Sequence, residues 1–174
     1  MSENGSKDPQ LEKETIAFII ERSTNKNVVV YEAMIDEDTG KLNEEKPIDV
    51  YWLDLEPSYR EKNRKKGKMH DRDELSMIDK TLAYGIKWVA HPDEEGAYIM
   101  TLIALPKRKG VLKLVDGKPR GVMDINGEDC YMQSIWVEAK QTIIGLPRVL
   151  FVLIKGVSIK TGEPQEEKIV YSNK

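Results

Sequence analysis

The stretch "IAFIIERSTNKNVVVYEAMI", residues 16–35, decides the fold class. Its two runs, "IAFIIER" and "NVVVYEAMI", are rich in β-branched and aromatic residues, which suit a pleated, half-buried surface. The link "STNK" is short and polar, and Asn tolerates tight turn geometry. The stretch reads as a β-hairpin.

Working outward, "DEDTGKLNEEK" (36–46) is turn chemistry, and "PIDVYWLDL" (47–55) is a third strand, with Pro47 suited to its first position. After residue 85 the strand pattern resumes in "IKWVAH", "AYIMTLIALP", "VLKLV", "RGVMDI", "CYMQSIWVE", "PRVLFVLIKGVSI" and "EKIVYS". The connections between these runs nearly all carry Gly or Pro. About ten short strands with one helix imply an α+β, mostly β domain: an antiparallel barrel or sandwich. Residues 98–105 and 149–157 read as apolar on both faces, so one side of the sheet is expected to be covered, with the helix as the available cover. The helix is expected near 72–84, in "DRDELSMIDKTLAYG". Asp71 with Glu74 forms a capping-box pattern, Leu75, Ile78 and Leu82 form one stripe, and Gly85 terminates it.

The chain of 174 residues, 40% hydrophobic and 33% charged, fits a single soluble domain over 15–172. Residues 1–14 are polar, broken by Gly5 and Pro9, and read as a disordered lead-in. A formal charge of −3 gives no general pull toward nucleic acid or membrane. No apolar run approaches the roughly 20 residues of a membrane span. The opening "MSENGSKDPQLEKET" has no apolar core of a secretory signal, so a cytoplasmic setting is expected. The lone Cys130 excludes an intrachain disulfide and reads as a small apolar strand residue.

Catalytic and metal motifs are not found. Two histidines, His70 and His91, and one cysteine do not make a typical structural zinc set. No nucleophile elbow, phosphate-binding loop or H-E-x-x-H is present. "DEDTGKLNEE" superficially matches a calcium loop, but counted from Asp36 the glycine falls one place early and Pro47 takes the position of the bidentate glutamate. No metal and no cofactor is expected.

Residues 56–71 form a polar, basic loop in this reading. Six of the nine residues 60–68 are Lys or Arg, and "DRDE" follows. Lys62, Arg64, Lys65, Lys66 and Lys68 are candidate anion contacts for nucleic acid or an anionic lipid. The bland alternative is a solvated connector, because no aromatic residues interleave the cations for base stacking. A second patch, Lys107-Arg108-Lys109, strengthens the first reading only if it lies nearby in space.

"ERSTNKNVVVYEA", "PIDVYWLDL", "IDKTLAYGIKW" and "IALPKRKGVLKL" together resemble the domain-of-unknown-function 4833 family, over about Ile16 to Val157. The resemblance implies no activity. It directs attention to Arg22, Asn25, Asn27, Tyr31, Asp49, Tyr51, Lys80 and Tyr84, which match the family's recurring polar positions. The chain departs from the family pattern in its longer, more basic segment at 60–70.

These positions also have a direct physical reading. Asn25 and Asn27 flank the hairpin turn. Asp49 and Tyr51 are two apart and share a strand face, with Arg22 and Lys80 as the available partners for the acid. Lys80 and Tyr84 are four apart on the expected helix. The group is either a structural network tying helix to sheet or a polar pocket walled by Tyr51, Trp52, Tyr84 and Trp88. On the pocket reading the chain is a non-catalytic module binding a small or acidic ligand. The alternative is a protein, nucleic-acid or anionic-lipid docking domain working through 60–68. An enzyme using Asp49 or Lys80 as acid or base is a third, weaker reading.

Overall fold

The computed structural model describes residues 8–144 and 148–171. Residues 1–7 of the expected lead-in, part of the 142–146 connection and the expected boundary at 172 lie outside these. The longest strand organises the molecule. β9 (Glu128–Lys140) is bordered along one edge by β10 (Arg148–Ser158), which in turn pairs with β11 (Pro164–Val170). Its other edge is shared. The first half pairs antiparallel with β8 (Lys118–Ile125), from Val122↔Tyr131 to Ile125↔Glu128. The second half pairs parallel with β1 (Ile16–Arg22), from Ile19↔Ser134 to Arg22↔Val137.

Two arms therefore diverge from β9. One runs β1, β2 (Val28–Ala33), β3 (Ile48–Leu53) and β4 (Arg72–Glu74). The other runs β8, β7 (Lys109–Val115), β6 (Tyr98–Leu102) and β5 (Ile86–Ala90). Together they form one sheet of 11 strands curled into a half-barrel. The mostly β class is as the sequence implies, and β1–β2 is the expected hairpin, paired Ile19↔Val30 and Ile20↔Val29. The parallel β1–β9 contact is the departure from an all-antiparallel sheet.

The main core fills the space between the arms. Phe18, Val29, Tyr31 and Ile48 come from one arm, Met100, Leu112 and Ile125 from the other, and Ile135 and Ile154 from the trunk. Phe18 and Tyr31 stack with ring centroids 4.3 Å apart. Each large side chain so buried contributes roughly 1.5–3 kcal/mol through lost contact with water. β2 is buried on both faces. Val28 and Val30 join Tyr51 and Leu53 in a second cluster on the outer face, covered by Leu11, Ile16, Ile19 and Leu55. Residues 9–11 of the expected lead-in form a 3-10 turn whose Leu11 lies on this cluster. The cover for the sheet is thus the opposing arm and the chain's own start, and not a helix.

The helix lies elsewhere than expected. The segment read as a basic loop contains the long helix, α1 (Pro57–Lys65). Pro57 sits in its first turn, where a missing amide hydrogen costs nothing. Glu61 and Lys65 pair at 3.1 Å across one turn. Gly67, at φ 77°, ends it: its amide donates to the Arg64 carbonyl at 3.0 Å and the Lys68 amide to the Asn63 carbonyl at 2.9 Å, a Schellman closure. Solvated Lys, Arg and Glu form helices readily.

The expected helix at 72–84 shrinks. Arg72–Glu74 joins the sheet as β4, opposite Tyr51, Trp52 and Leu53. The capping box forms further along: the Asp79 amide donates to Ser76 Oγ at 3.1 Å and the Ser76 amide to Asp79 Oδ2 at 3.3 Å. It opens a wide π-helical turn, Asp79–Ala83, closed by the Tyr84 amide on the Asp79 carbonyl at 2.7 Å. Of the expected apolar stripe only Leu75 is buried, while Ile78 and Leu82 are 67% and 73% exposed. Among the described residues no helix is long and apolar enough to cross a membrane.

Candidate functional site

β1 ends with Arg22 on the inner face, and the turn 23–27 begins there. The Arg22 guanidinium lies 4.4 Å above the Trp52 ring of β3 and donates to Asn25 Oδ1 at 3.0 Å. Tyr84 meets the other side of Trp52, edge to face, with centroids 5.1 Å apart. The Trp52 indole donates to Asp79 Oδ2 at 3.2 Å, and the Tyr31 hydroxyl to the Tyr84 carbonyl at 2.6 Å. The π-helical turn is thereby pinned to the sheet through polar atoms. Burial pushes both tyrosine hydroxyls above their ordinary range, with Arg22 pulling Tyr84 the other way.

One donor in this cluster stands out. Arg22 Nε is buried and has no hydrogen-bond partner among the described residues. A buried donor left without an acceptor costs about 1–3 kcal/mol. Beside it, the 23–26 turn, Leu55–Glu56, Leu11 and Trp136 of β9 line an open hollow of about 620 Å³. Lys26 and Glu21, both on its wall, form no ion pair among the described residues.

Four of the eight expected positions thus converge: Arg22, Asn25, Tyr31 and Tyr84. Asn27 is next to them but serves the backbone, its Oδ1 accepting from the Leu55 and Glu56 amides at 2.9 and 3.0 Å. Its own amide donates to Asn25 Oδ1 at 2.9 Å, so both asparagines shape the turn. Asp49 and Tyr51 do share a face, but it is the outer one. Asp49 pairs with Lys46 at 2.9 Å, not with Arg22 or Lys80. Tyr51 donates to Glu32 Oε1 at 2.8 Å under the Arg72 guanidinium, 4.4 Å above its ring. Burial first, and then the Glu32 carboxylate, raises the Tyr51 hydroxyl pKa. Lys80 is exposed on the π-helical turn and makes no ion pair among the described residues.

Of the expected walls, Trp52 and Tyr84 belong to this cluster, while Trp88 lies on β5 in a separate cleft. Asp79, Trp136, Glu32 and Arg72 were not among the residues expected. Asp79 alone carried a sequence signal, the Ser76-x-x-Asp79 box.

The basic segment is largely paired. Asp71, only 4% exposed, takes Arg64 at 3.0 Å and Arg60 at 3.6 Å. Buried Asn63 bridges Asp54 at 2.9 Å and Asp71 at 3.3 Å. Lys68 binds Asp73, whose carboxyl it holds below the ordinary range; burial raises that of Asp54. Lys62 and Lys66 alone among the five anion candidates have no ion pair among the described residues. The second basic patch is on the other arm, where Arg108 clamps Glu167 of β11. Cys130 is fully buried in β9, and burial pushes its thiol up, as suits a packing residue.

Among the described residues no group of three or more His, Cys, Asp or Glu is placed to hold a metal ion. Neither curated proteins nor solved structures give a significant match to this chain. Residues 18–168 match the family described as "Domain of unknown function (DUF4833)". That span takes in both arms, the trunk and the Arg22 cluster, and the chain belongs to this family.

Proposed function

We propose that the chain is a non-catalytic binding module whose ligand is a small molecule carrying a carboxylate or phosphate. The observation behind this reading is Arg22, a residue that lines the 620 Å³ hollow and whose buried Nε has no acceptor among the described residues. A guanidinium is a flat fork suited to two anionic oxygens. Lys26 adds charge at the rim and Trp136 an apolar wall. Because Nε is buried, a ligand oxygen reaches it only after a local rearrangement. Asp49 and Lys80, the groups an acid–base reading relies on, lie apart on an outer strand face and an exposed turn.

The second reading, docking to an anionic partner through 60–68, rests on Lys62 and Lys66, one helical turn apart. It stands behind the first because Arg64, Lys65 and Lys68 are already paired.

The test is a thermal-shift and calorimetric screen with citrate, succinate, inorganic phosphate and short polyphosphate, against wild type, Arg22→Lys and Lys26→Ala. A stabilising anion whose affinity falls at least tenfold in either variant supports the reading. Binding that ignores both substitutions but fails in Lys62→Ala/Lys66→Ala moves the site to α1. No stabilising anion at all refutes the proposal.

A further inference from the structure

Among the described residues three strands end the sheet with one neighbour each: β4, β5 and β11. An unpaired strand edge offers a row of backbone donors and acceptors, and proteins commonly blunt such edges with charge, proline or brevity. β4 has only 3 residues. β11 begins with Pro164 and carries Glu166, Glu167 and Lys168. β5 is different. Its 5 residues, Ile-Lys-Trp-Val-Ala, hold a single charge, and Val89 is 62% exposed.

β5 borders a cleft of about 1320 Å³ between it and the 36–45 loop. Its lining includes four consecutive residues, Trp88 to His91. Ala97, Tyr98 of β6, and Lys113 and Leu114 of β7 line the cleft as well, so it spans the end of β5 and its neighbours. Leu42, Ala97 and Tyr98 form its floor and are buried. The Trp88 indole donates to nothing among the described residues. The turn closing β5 is held by His91, whose Nδ1 accepts the Asp93 and Glu94 amides at 3.1 Å each.

The rim is acidic on both banks. Asp36, Glu44 and Glu45 come from the loop, and Glu94 and Glu95 from the β5–β6 turn, against two lysines, Lys41 and Lys113. Lys113 is spent on Glu94 at 3.3 Å. Glu44, Glu45 and Glu95 are exposed and have no ion pair among the described residues. A negative groove over an open strand edge complements one kind of partner.

We propose that this cleft docks an extended, basic peptide segment of another protein, which adds to the free edge of β5 as a further strand. Backbone pairing with Ile86–Ala90 supplies the register. Lysines or arginines on the incoming strand meet Glu44, Glu45 and Glu95, and an apolar residue between them packs on Trp88. The site is separate from the Arg22 hollow, and its ligand has the opposite charge.

The experiment uses the full chain and three fluorescein-labelled decapeptides: alternating Lys-Val, alternating Glu-Val, and Lys-Val with every second Val replaced by Pro. Fluorescence anisotropy is expected to show saturable binding of the Lys-Val peptide, at least tenfold tighter than either control. Glu44→Lys/Glu45→Lys/Glu95→Lys, all surface changes, is expected to weaken it tenfold or more while the thermal midpoint stays put. Added salt is expected to weaken it as well. Equal binding of the proline peptide overturns strand addition, and indifference to the charge reversal overturns the basic partner. A concentration-dependent dimer in sedimentation that Val89→Lys abolishes assigns the edge to a second copy of this chain and overturns the proposal too.

Discussion

The polar cluster under α1 and the one at the end of β1 differ in how their donors are met. Beneath the helix, Asn63 has two carboxylate partners, Asp71 takes two arginines, and Arg60 also donates to the Asp54 carbonyl at 2.9 Å. Charge and hydrogen bonding are matched atom for atom, which is what a structural joint requires. Around Arg22 the matching stops one short: Trp52, Tyr84, Tyr31 and Asn25 are all engaged, yet among the described residues nothing accepts from Nε. The contrast teaches that a run of charge in sequence does not mark a site. The unmet donor beside a hollow is what the proposed site rests on.

The largest effect is expected where the matching is complete. Asp71→Ala leaves Arg60, Arg64 and Asn63 without their shared acceptor. Both arginines are partly exposed, so a loss of about 2 kcal/mol is expected in urea unfolding, below the roughly 3–5 kcal/mol that breaking a fully buried pair costs. A loss below ~0.5 kcal/mol, the range of ordinary surface changes, breaks the comparison by showing that the joint is not structural. On the other cluster, Tyr31→Phe removes the hydroxyl that holds the Tyr84 carbonyl. It is expected to cost about 1 kcal/mol and to loosen the 77–83 segment, visible as faster amide exchange there and not in α1.

A third pair supplies a reference on the far arm. Arg108 holds the Glu167 carboxyl below its ordinary value of 4.5. Its contribution is fully present above that value and is lost as pH falls through the lower, folded one. Wild type is therefore expected to be more stable than Glu167→Gln near neutrality, and the gap is expected to close as pH drops below 4.5. A gap that widens with acid contradicts the assignment. The smallest effect belongs to the turn beside Arg22. Ile78→Lys/Leu82→Lys is expected to change stability by less than ~0.5 kcal/mol, because both side chains already face water. A multi-kcal loss would restore the apolar stripe as a packing face.

Those two residues also show where the sequence misleads. Leu75, Ile78 and Leu82 have helical spacing, and spacing alone does not reveal that Arg72–Glu74 is drawn into pairing with β3. Once β4 forms, the helix starts at Ser76, and docking through Trp52–Asp79 and Tyr31–Tyr84 widens it into a π-helical turn. The 60–68 run misleads in the other direction, because solvated charge suits a surface helix as well as a loop. Its end signals, Pro57 and Gly67, were present in the sequence all the same. The strands were legible because β-branched runs separated by Gly and Pro leave little alternative. Asp49 and Tyr51 sharing a face was legible too. Which face was not, since that depends on the bulge between Ile16 and Phe18 and on the chain's own start covering the outside. No local pattern marks the parallel pairing of β1 with β9, which joins residues more than a hundred positions apart.

The most direct test tracks the Arg22 Nε–H itself by nitrogen–proton correlation spectroscopy, with Arg22→Lys used to assign the signal. The prediction is a side-chain resonance typical of an unbonded guanidinium in the free protein, shifting strongly and saturably when a stabilising carboxylate or phosphate is added. A resonance that is already strongly hydrogen-bonded without ligand, and that stays still throughout the titrations, contradicts the account.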